Sequence, residues 1–307
     1  MMKKYLVSYA LMMTITVLVS CDSAPVAYES EETAPPPVVT ENIEVSVETP
    51  TESPHEEAPE ETPDEILPVK EIHFEDYVTL SSDTKTFWFE RNSTHQPVMI
   101  GSRELLEQYP IIYQGDPTDN KVYITMDMGY ENGNTTYILD FYKENNIKVL
   151  FFLTGDYIDN NEALVIRMID EGHLISNHTL HHYILSEISL EKVYDEITLL
   201  DDKLYEKFGQ RSHYVRFPEG KYSMQVLSLV KDMGYIPVFW SNAFDDWVRN
   251  DVRPPEYFYQ RITENMHNGA LMLIHTVNRN EADCFQDVLE YIKDNGYEIG
   301  NPAVLFK

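Results

Sequence analysis

The chain has 307 residues, 43% of them hydrophobic, enough for one large domain or two small ones around a sizeable core. Its formal net charge of -29 excludes a nucleic-acid partner, because no Lys/Arg-rich patch offsets the repulsion that phosphates would meet. The two cysteines, Cys21 and Cys284, predict no structural disulfide, since Cys21 has another use.

Residues 1–21 read as an export signal. Lys3 and Lys4 form its positive start, and the apolar run from Tyr5 to Val19 is too short for a comfortable membrane span. The run ends in Leu18-Val19-Ser20-Cys21, which resembles a bacterial lipoprotein box. That resemblance implies cleavage before Cys21, a diacylglycerol on its thiol, and a mature protein anchored extracytoplasmically to the cell membrane. An uncleaved anchor helix would leave the domain on the same side. Residues 22–70 follow as a disordered acidic linker. Between 22 and 68 there are fourteen acidic residues, nine prolines and no Lys or Arg, so the segment buries too little apolar surface to offset its chain entropy. Like charges and proline extend it into a spacer.

Residues 71–120 read as a strap packed on the main domain, carrying the aromatic cluster Phe87-Trp88-Phe89 and a short helix over 102–109 with Ser102 as its N-cap. From 121 to 307 the chain alternates strand and helix. Apolar, β-branched or aromatic runs predict strands over 122–126, 148–153, 173–176, 214–217, 235–240 and 270–274, with a weaker one at 303–306. Helical patterns fall over 135–145, 161–171, 190–208, 223–233, 255–266 and 281–294, with Ser189 and Ser223 as N-caps and Gly172, Gly209, Gly234 and Gly296 at or just past helix ends. Seven βα units with right-handed crossovers predict an α/β fold, a distorted (β/α)7 barrel.

In such a barrel, function sits on the loops at the carboxyl ends of the strands. Asp127 follows the first strand, and His178 and His182 follow the third. Arg216 sits in the fourth, before Phe217-Pro218-Glu219-Gly220; Asp246-Trp247 come soon after the fifth, and His275 directly follows the sixth. Neutral imidazole is a common metal ligand, and a turn after the third strand would set His178 and His182 one helical turn apart, converging on one ion. Each residue taken alone has a bland reading: Asp127 a turn former, Arg216 a surface cation, His275 a buried structural histidine, the histidine run a polar loop. Five strand ends delivering Asp, two His, Arg, Asp and His to one rim point instead to a metal-assisted hydrolase site. His173 and His213, at strand starts, read as structural, His181 as a residue behind the paired histidines, and Cys284 as a small core residue in the last helix.

The stretches Thr125-Met126-Asp127-Met128-Gly129-Tyr130-Glu131-Asn132, His178-Thr179-Leu180-His181-His182, Arg216-Phe217-Pro218-Glu219-Gly220, Asp246-Trp247 and Leu273-Ile274-His275 resemble the five ordered motifs of polysaccharide deacetylases, carbohydrate esterase family 4 with its NodB homology domain. Gly-Tyr-Glu-Asn-Gly at 129–133, Trp240-Ser241 and His-Thr-Val at 275–277 look most like the branch of muramic acid de-N-acetylases that prepare muramic δ-lactam in spore cortex peptidoglycan. The resemblance covers roughly residues 86 to 307. It implies a divalent ion (Zn, Mn, Mg or Co) held by His178 and His182, Asp127 as general base and Arg216 as its orienting cation. It further implies His275 as general acid, Asp246 as the group holding His275, and Trp247, Leu273 and Pro218 against the substrate. The implied substrate is an N-acetylated peptidoglycan glycan, and a monomer is expected. Two positions depart from the family's pattern. Met128 stands where a second Asp usually supplies a metal ligand, which predicts a weakly bound ion completed by water, substrate oxygens or Asp127. Glu219 stands where the muramic branch tends to carry Arg, and a carboxylate there would repel an anionic muramyl group. The alternative is a catalytically degenerate glycan-binding lipoprotein on the same fold. A solute-binding lipoprotein, suggested by the lipobox and tether alone, would have no use for His275.

Overall fold

The structure, a computed structural model, describes residues 70–90, 98–100, 108–248, 252–275 and 277–305. Cys21, the acidic linker and most of the helix expected after Ser102 lie outside the described residues. The strap contributes three short strands, β1 (Lys85–Thr86), β2 (Trp88–Glu90) and β3 (Val98–Ile100), the last two paired antiparallel.

The main sheet has seven parallel strands: β4 (Lys121–Met128), β5 (Leu150–Leu153), β6 (Leu174–Asn177), β7 (Tyr214–Val215), β9 (Ile236–Pro237), β10 (Leu271–Ile274) and β11 (Glu298–Ile299). Between β7 and β9, strand β8 (Lys221–Tyr222) leaves the sheet to pair antiparallel with β1. The hydrogen-bonded order is β10-β4-β5-β6-β7-β9, with β11 also on β4. A parallel bridge from Asn242 to Met272 ties the chain after β9 to β10, and Ile112 of the strap bridges Val238 lower down. The distorted barrel expected from the repeat is therefore present, with irregular pairing on its last side.

The helices are α1 (Thr135–Glu144), α2 (Gly155–Asn160), α3 (Glu162–Asp170), α4 (Leu190–Phe208), α5 (Met224–Asp232), α6 (Pro255–Thr263), α7 (Arg279–Asp283) and α8 (Phe285–Asp294). Ser189 and Ser223 cap α4 and α5 by accepting from the backbone N–H of Lys192 and Val226. Gly209 ends α4 in the left-handed region at φ 68. Removing the Ser223 hydroxyl (Ser223→Ala) should lower stability by about 1 kcal/mol, read as a shift in the urea midpoint.

Strand alternation sorts the side chains into two layers. Along β4, Val122, Ile124, Met126 and Met128 pack with the helices in the outer core, together with Phe151, Leu153, Met272 and Ile274. The opposite set, Tyr123, Leu150, Phe152, Val238 and Leu271, fills the barrel axis. Thr125 donates to the Met272 carbonyl at 2.6 Å, and Asp127 stands one layer above it. A third cluster joins the strap to β7, α5 and the Phe239-Trp240 segment after β9; in it Phe87 stacks on Phe239 at 4.2 Å.

Strand ends are corrected first: β4 runs through Asp127 to Met128, whereas β7 stops at Val215 and β9 at Pro237, so Asp127 lies in its strand and Arg216 just past its own. Two further expectations are corrected. The last strand is Glu298–Ile299 rather than 303–306, because Asn301 and Pro302 open a 3-10 turn over Pro302–Val304, Asn301 accepting from Ala303 N–H. The last predicted helix is broken at Cys284, which sits buried between α7 and α8.

Candidate active site

Arg216 organises the mouth of the barrel. It directly follows β7, is fully buried, and donates from Nη1 to Asp127 Oδ1 at 2.8 Å. Its Nε and Nη2 donate to the carbonyls of Val238 (3.2 Å) and Phe239 (3.0 Å), and the guanidinium lies 4.1 Å over the Phe152 ring. Held on three sides, this cation cannot swing away. Burial alone would raise the Asp127 pKa; the charge and hydrogen bond of Arg216 outweigh it and hold the carboxyl below its ordinary range.

His178 directly follows β6, and its Nδ1 lies 2.9 Å from the Arg216 carbonyl. A carbonyl only accepts, so Nδ1 carries the proton and Nε2 keeps its lone pair. Burial pulls the His178 pKa down to about 4 despite Asp127 pushing it up, so the ring is neutral at pH 7. Nε2 faces Asp127 Oδ2 at 3.4 Å, two acceptors opposed with no proton between them.

The two histidines converge without the helical turn expected. Thr179 (φ 67) and His182 (φ 58) both adopt left-handed backbone. Thr179 N–H donates to Asn177 Oδ1 at 2.9 Å, and His182 N–H to Thr179 Oγ1 at 3.1 Å. The loop thereby brings the two imidazoles to 4.8 Å, nearly perpendicular, and burial also lowers the His182 pKa. His181 turns instead to α4, its Nδ1 2.7 Å from Glu196 Oε1, while still reaching the cavity edge.

On the opposite wall His275 directly follows β10. Its Nδ1 lies 2.7 Å from Asp246 Oδ1, and its backbone N–H donates to Asp246 Oδ2 at 2.7 Å. Burial would lower the His275 pKa, but Asp246, itself fully buried, raises it above the ordinary value through charge and hydrogen bond. Half-exposed Trp247 places its ring edge-on to His275 at 5.9 Å.

Asp127, His178, His182, Trp247, Leu273 and His275 all line one cavity of about 740 Å³. Arg216 and Asp246 stand behind its walls. Pro218 does not line it; that proline is buried as the first residue of the turn Pro218–Gly220, whose Glu219 reaches the cavity instead. Sequence reasoning missed Thr86, Trp88, Tyr130, Asp156 and Lys221, which also line it. Tyr130 carried a signal in the Gly129–Gly133 loop, and Trp88 stood out only as part of the strap's aromatic cluster.

The model of the polysaccharide deacetylase family matches residues 114–238. The chain is 37% identical over 212 residues to the peptidoglycan-N-acetylmuramic acid deacetylase PdaA of Bacillus subtilis, covering 68% of this chain and 81% of that one. The solved structure of PdaA, a family 4 carbohydrate esterase, superposes with a TM-score of 0.70 at 34% identity, over 74% of this chain and 98% of that one. The chain belongs to the polysaccharide deacetylase family. More distant are the peptidoglycan-N-acetylglucosamine deacetylase PgdA of Listeria monocytogenes, 27% identical over 59% of this chain and 38% of that one, and a family 4 pseudoenzyme of Bacillus anthracis. The latter shares the fold at TM-score 0.60 and 23% identity, over 67% of this chain and 73% of that one.

As a polysaccharide deacetylase the chain is a hydrolase of carbon–nitrogen bonds outside peptides. Its departure at Met128 has a clear structural form: the side chain is buried in the outer apolar layer and does not line the cavity. Among the described residues no three His, Cys, Asp or Glu side chains are arranged to hold an ion. The donors present nevertheless fit one. Two neutral imidazoles face each other, and the opposed lone pairs of His178 Nε2 and Asp127 Oδ2 are an arrangement that a cation between them relieves.

Proposed function

We propose that this hydrolase removes N-acetyl groups from the amino sugars of peptidoglycan, muramic acid residues first, outside the cytoplasmic membrane and tethered through a lipid on Cys21. One observation carries the reading. Asp127, 2.8 Å from the buried Arg216, and His275, 2.7 Å from the buried Asp246, face the same cavity, and these partners lower the carboxyl pKa and raise the imidazole pKa, the directions that base and acid roles require. The muramic preference rests on the likeness to PdaA.

His178 and His182 would hold a divalent ion, with water completing its shell; bound there, it would polarise the acetamide carbonyl and acidify water. The chain's own residues do the rest. Asp127 takes a proton from the attacking water. Arg216 aims the carboxylate and keeps it charged. His275 gives its proton to the departing sugar amine, which is otherwise a poor leaving group. Asp246 fixes the ring by accepting at Nδ1, so the proton delivered is the one on Nε2. Trp247 and Leu273 form an apolar wall for the sugar face and the acetyl methyl.

Nitrogen ligands favour borderline ions over hard ones. Stripping the protein with a chelator should abolish acetate release from N-acetylated peptidoglycan strands. Zn or Co should restore it and Mg should not, as measured by enzymatic acetate assay. Restoration by Mg alone would contradict the two-imidazole seat.

The missing third ligand favours a second reading, a glycan-binding lipoprotein that no longer turns over. The same acetate assay separates the two. A silent wild type with an active Met128→Asp variant would establish the second reading, and an active wild type ends it.

A further inference from the structure

We propose that the strap builds a second recognition site in this cavity, for a sugar bearing a carboxylate, and that Lys221 reads the carboxylate. For the reaction it rests on the deacetylase reading; for binding it stands alone.

Strands β1 and β8 pair antiparallel in a register that sets Thr86 opposite Lys221. Trp88 lies two residues past Thr86, on the same face of the extended chain, so both side chains reach the cavity beside Lys221. Trp88 is held rigidly. It stacks on Phe89 at 5.4 Å and meets Trp240 edge-on at 6.0 Å. Behind it Phe87 is anchored on Phe239. A fixed aromatic plate suits the apolar face of a pyranose ring.

Charge then selects which pyranose. Lys221 is the sole Lys or Arg among the described residues lining the cavity. Asp127 is already matched by Arg216, whereas Asp156 and Glu219 add negative charge. Glu219 Oε2 sits 2.8 Å from Lys221 Nζ. A neutral sugar offers that ammonium only uncharged hydroxyl and amide acceptors. A carboxylate on the ring, such as the lactyl ether of muramic acid, competes with Glu219 for it.

The turn keeps this competitor in place. Glu219 has a left-handed backbone at φ 55, and Gly220 follows at φ +62, where an added Cβ would come within 2.7 Å of the Trp240 ring. Glu219 is therefore a built-in rival that sets how strongly an anionic sugar is taken, and its presence does not exclude one.

Calorimetric titration of the full-length protein with two probes tests this: stem-peptide-free glycan strands containing N-acetylmuramic acid, and the chitin tetramer, which lacks the lactyl carboxylate. The ratio of the two dissociation constants is the readout. Lys221→Met should reduce the preference for the muramic probe about tenfold, and Glu219→Gln should increase it by a similar factor. Lys221→Arg, which keeps the charge, should stay near wild type and shows that a loss in Lys221→Met is not misfolding. A ratio that does not move in Lys221→Met and Glu219→Gln would overturn the proposal. Acetate release on the same samples separates the two readings. A shifted ratio without acetate sinks the deacetylase and leaves the site, and acetate with an unmoved ratio does the reverse.

Discussion

Replacing Arg216 by Met should lower the unfolding free energy by about 3–5 kcal/mol, because it leaves the Asp127 carboxylate buried without its cation. Methionine fills much of the volume over Phe152, so the loss reports charge more than packing. The same change should cut kcat/KM by roughly two to three orders of magnitude, since an unpaired buried carboxyl titrates upward and is no longer an ionised base at neutral pH. The double variant Arg216→Met/Asp127→Asn distinguishes the causes. With both partners gone the stability loss should largely recover, while activity should not. Urea denaturation with acetate assays on the four members of the cycle reads both. If Arg216→Met and the double variant are equally destabilised, the pair is not what holds the mouth together.

The second large effect is a change in pH dependence on replacing Asp246 by Asn. Asp246 is the largest influence raising the His275 pKa. An acid catalyst is active below its pKa, so wild-type kcat/KM should fall as pH rises through a value above 6.5, the ordinary histidine pKa. It should also fall on the acid side, as Asp127 takes up a proton below the ordinary carboxylate range. Asp246→Asn should move the alkaline limb to lower pH, leave the acid limb in place, and reduce the maximum roughly a hundredfold. His275 linkage to stability has the same sign. Its contribution is complete below the unfolded pKa and is lost as pH rises through the raised folded value. An alkaline limb that stays put in Asp246→Asn would remove His275 from the acid role.

Much of this site was legible because strand alternation is rigid. Once β4, β7 and β10 are placed, the period of two puts Asp127 and Arg216 on the axis and Met128 in the outer layer, and His275 follows at a strand end. The convergence of His178 and His182 was foreseen by the wrong route. A β-branched Thr179 at φ 67 is not something local preference suggests, and the hydrogen bonds holding it span Asn177 to His182. The 303–306 run failed because an apolar stretch looks like a strand until the Asn-Pro pair ahead of it is weighed, whereas Glu298–Ile299 is too short to show alternation. Thr86 and Lys221 were invisible for a different reason. They meet through a pairing between strands more than a hundred residues apart, whose two-residue lengths leave no pattern in either segment.

The most direct measurement is acetate release from stem-peptide-free peptidoglycan strands by zinc-loaded wild type and by Asp127→Asn, matched for binding to the same strands. Wild type should release acetate and the variant should be slower by roughly three orders of magnitude at unchanged affinity. Equal rates in the two proteins would show that the carboxylate at the end of β4 takes no proton from water, and the mechanism assigned to this cavity would be wrong.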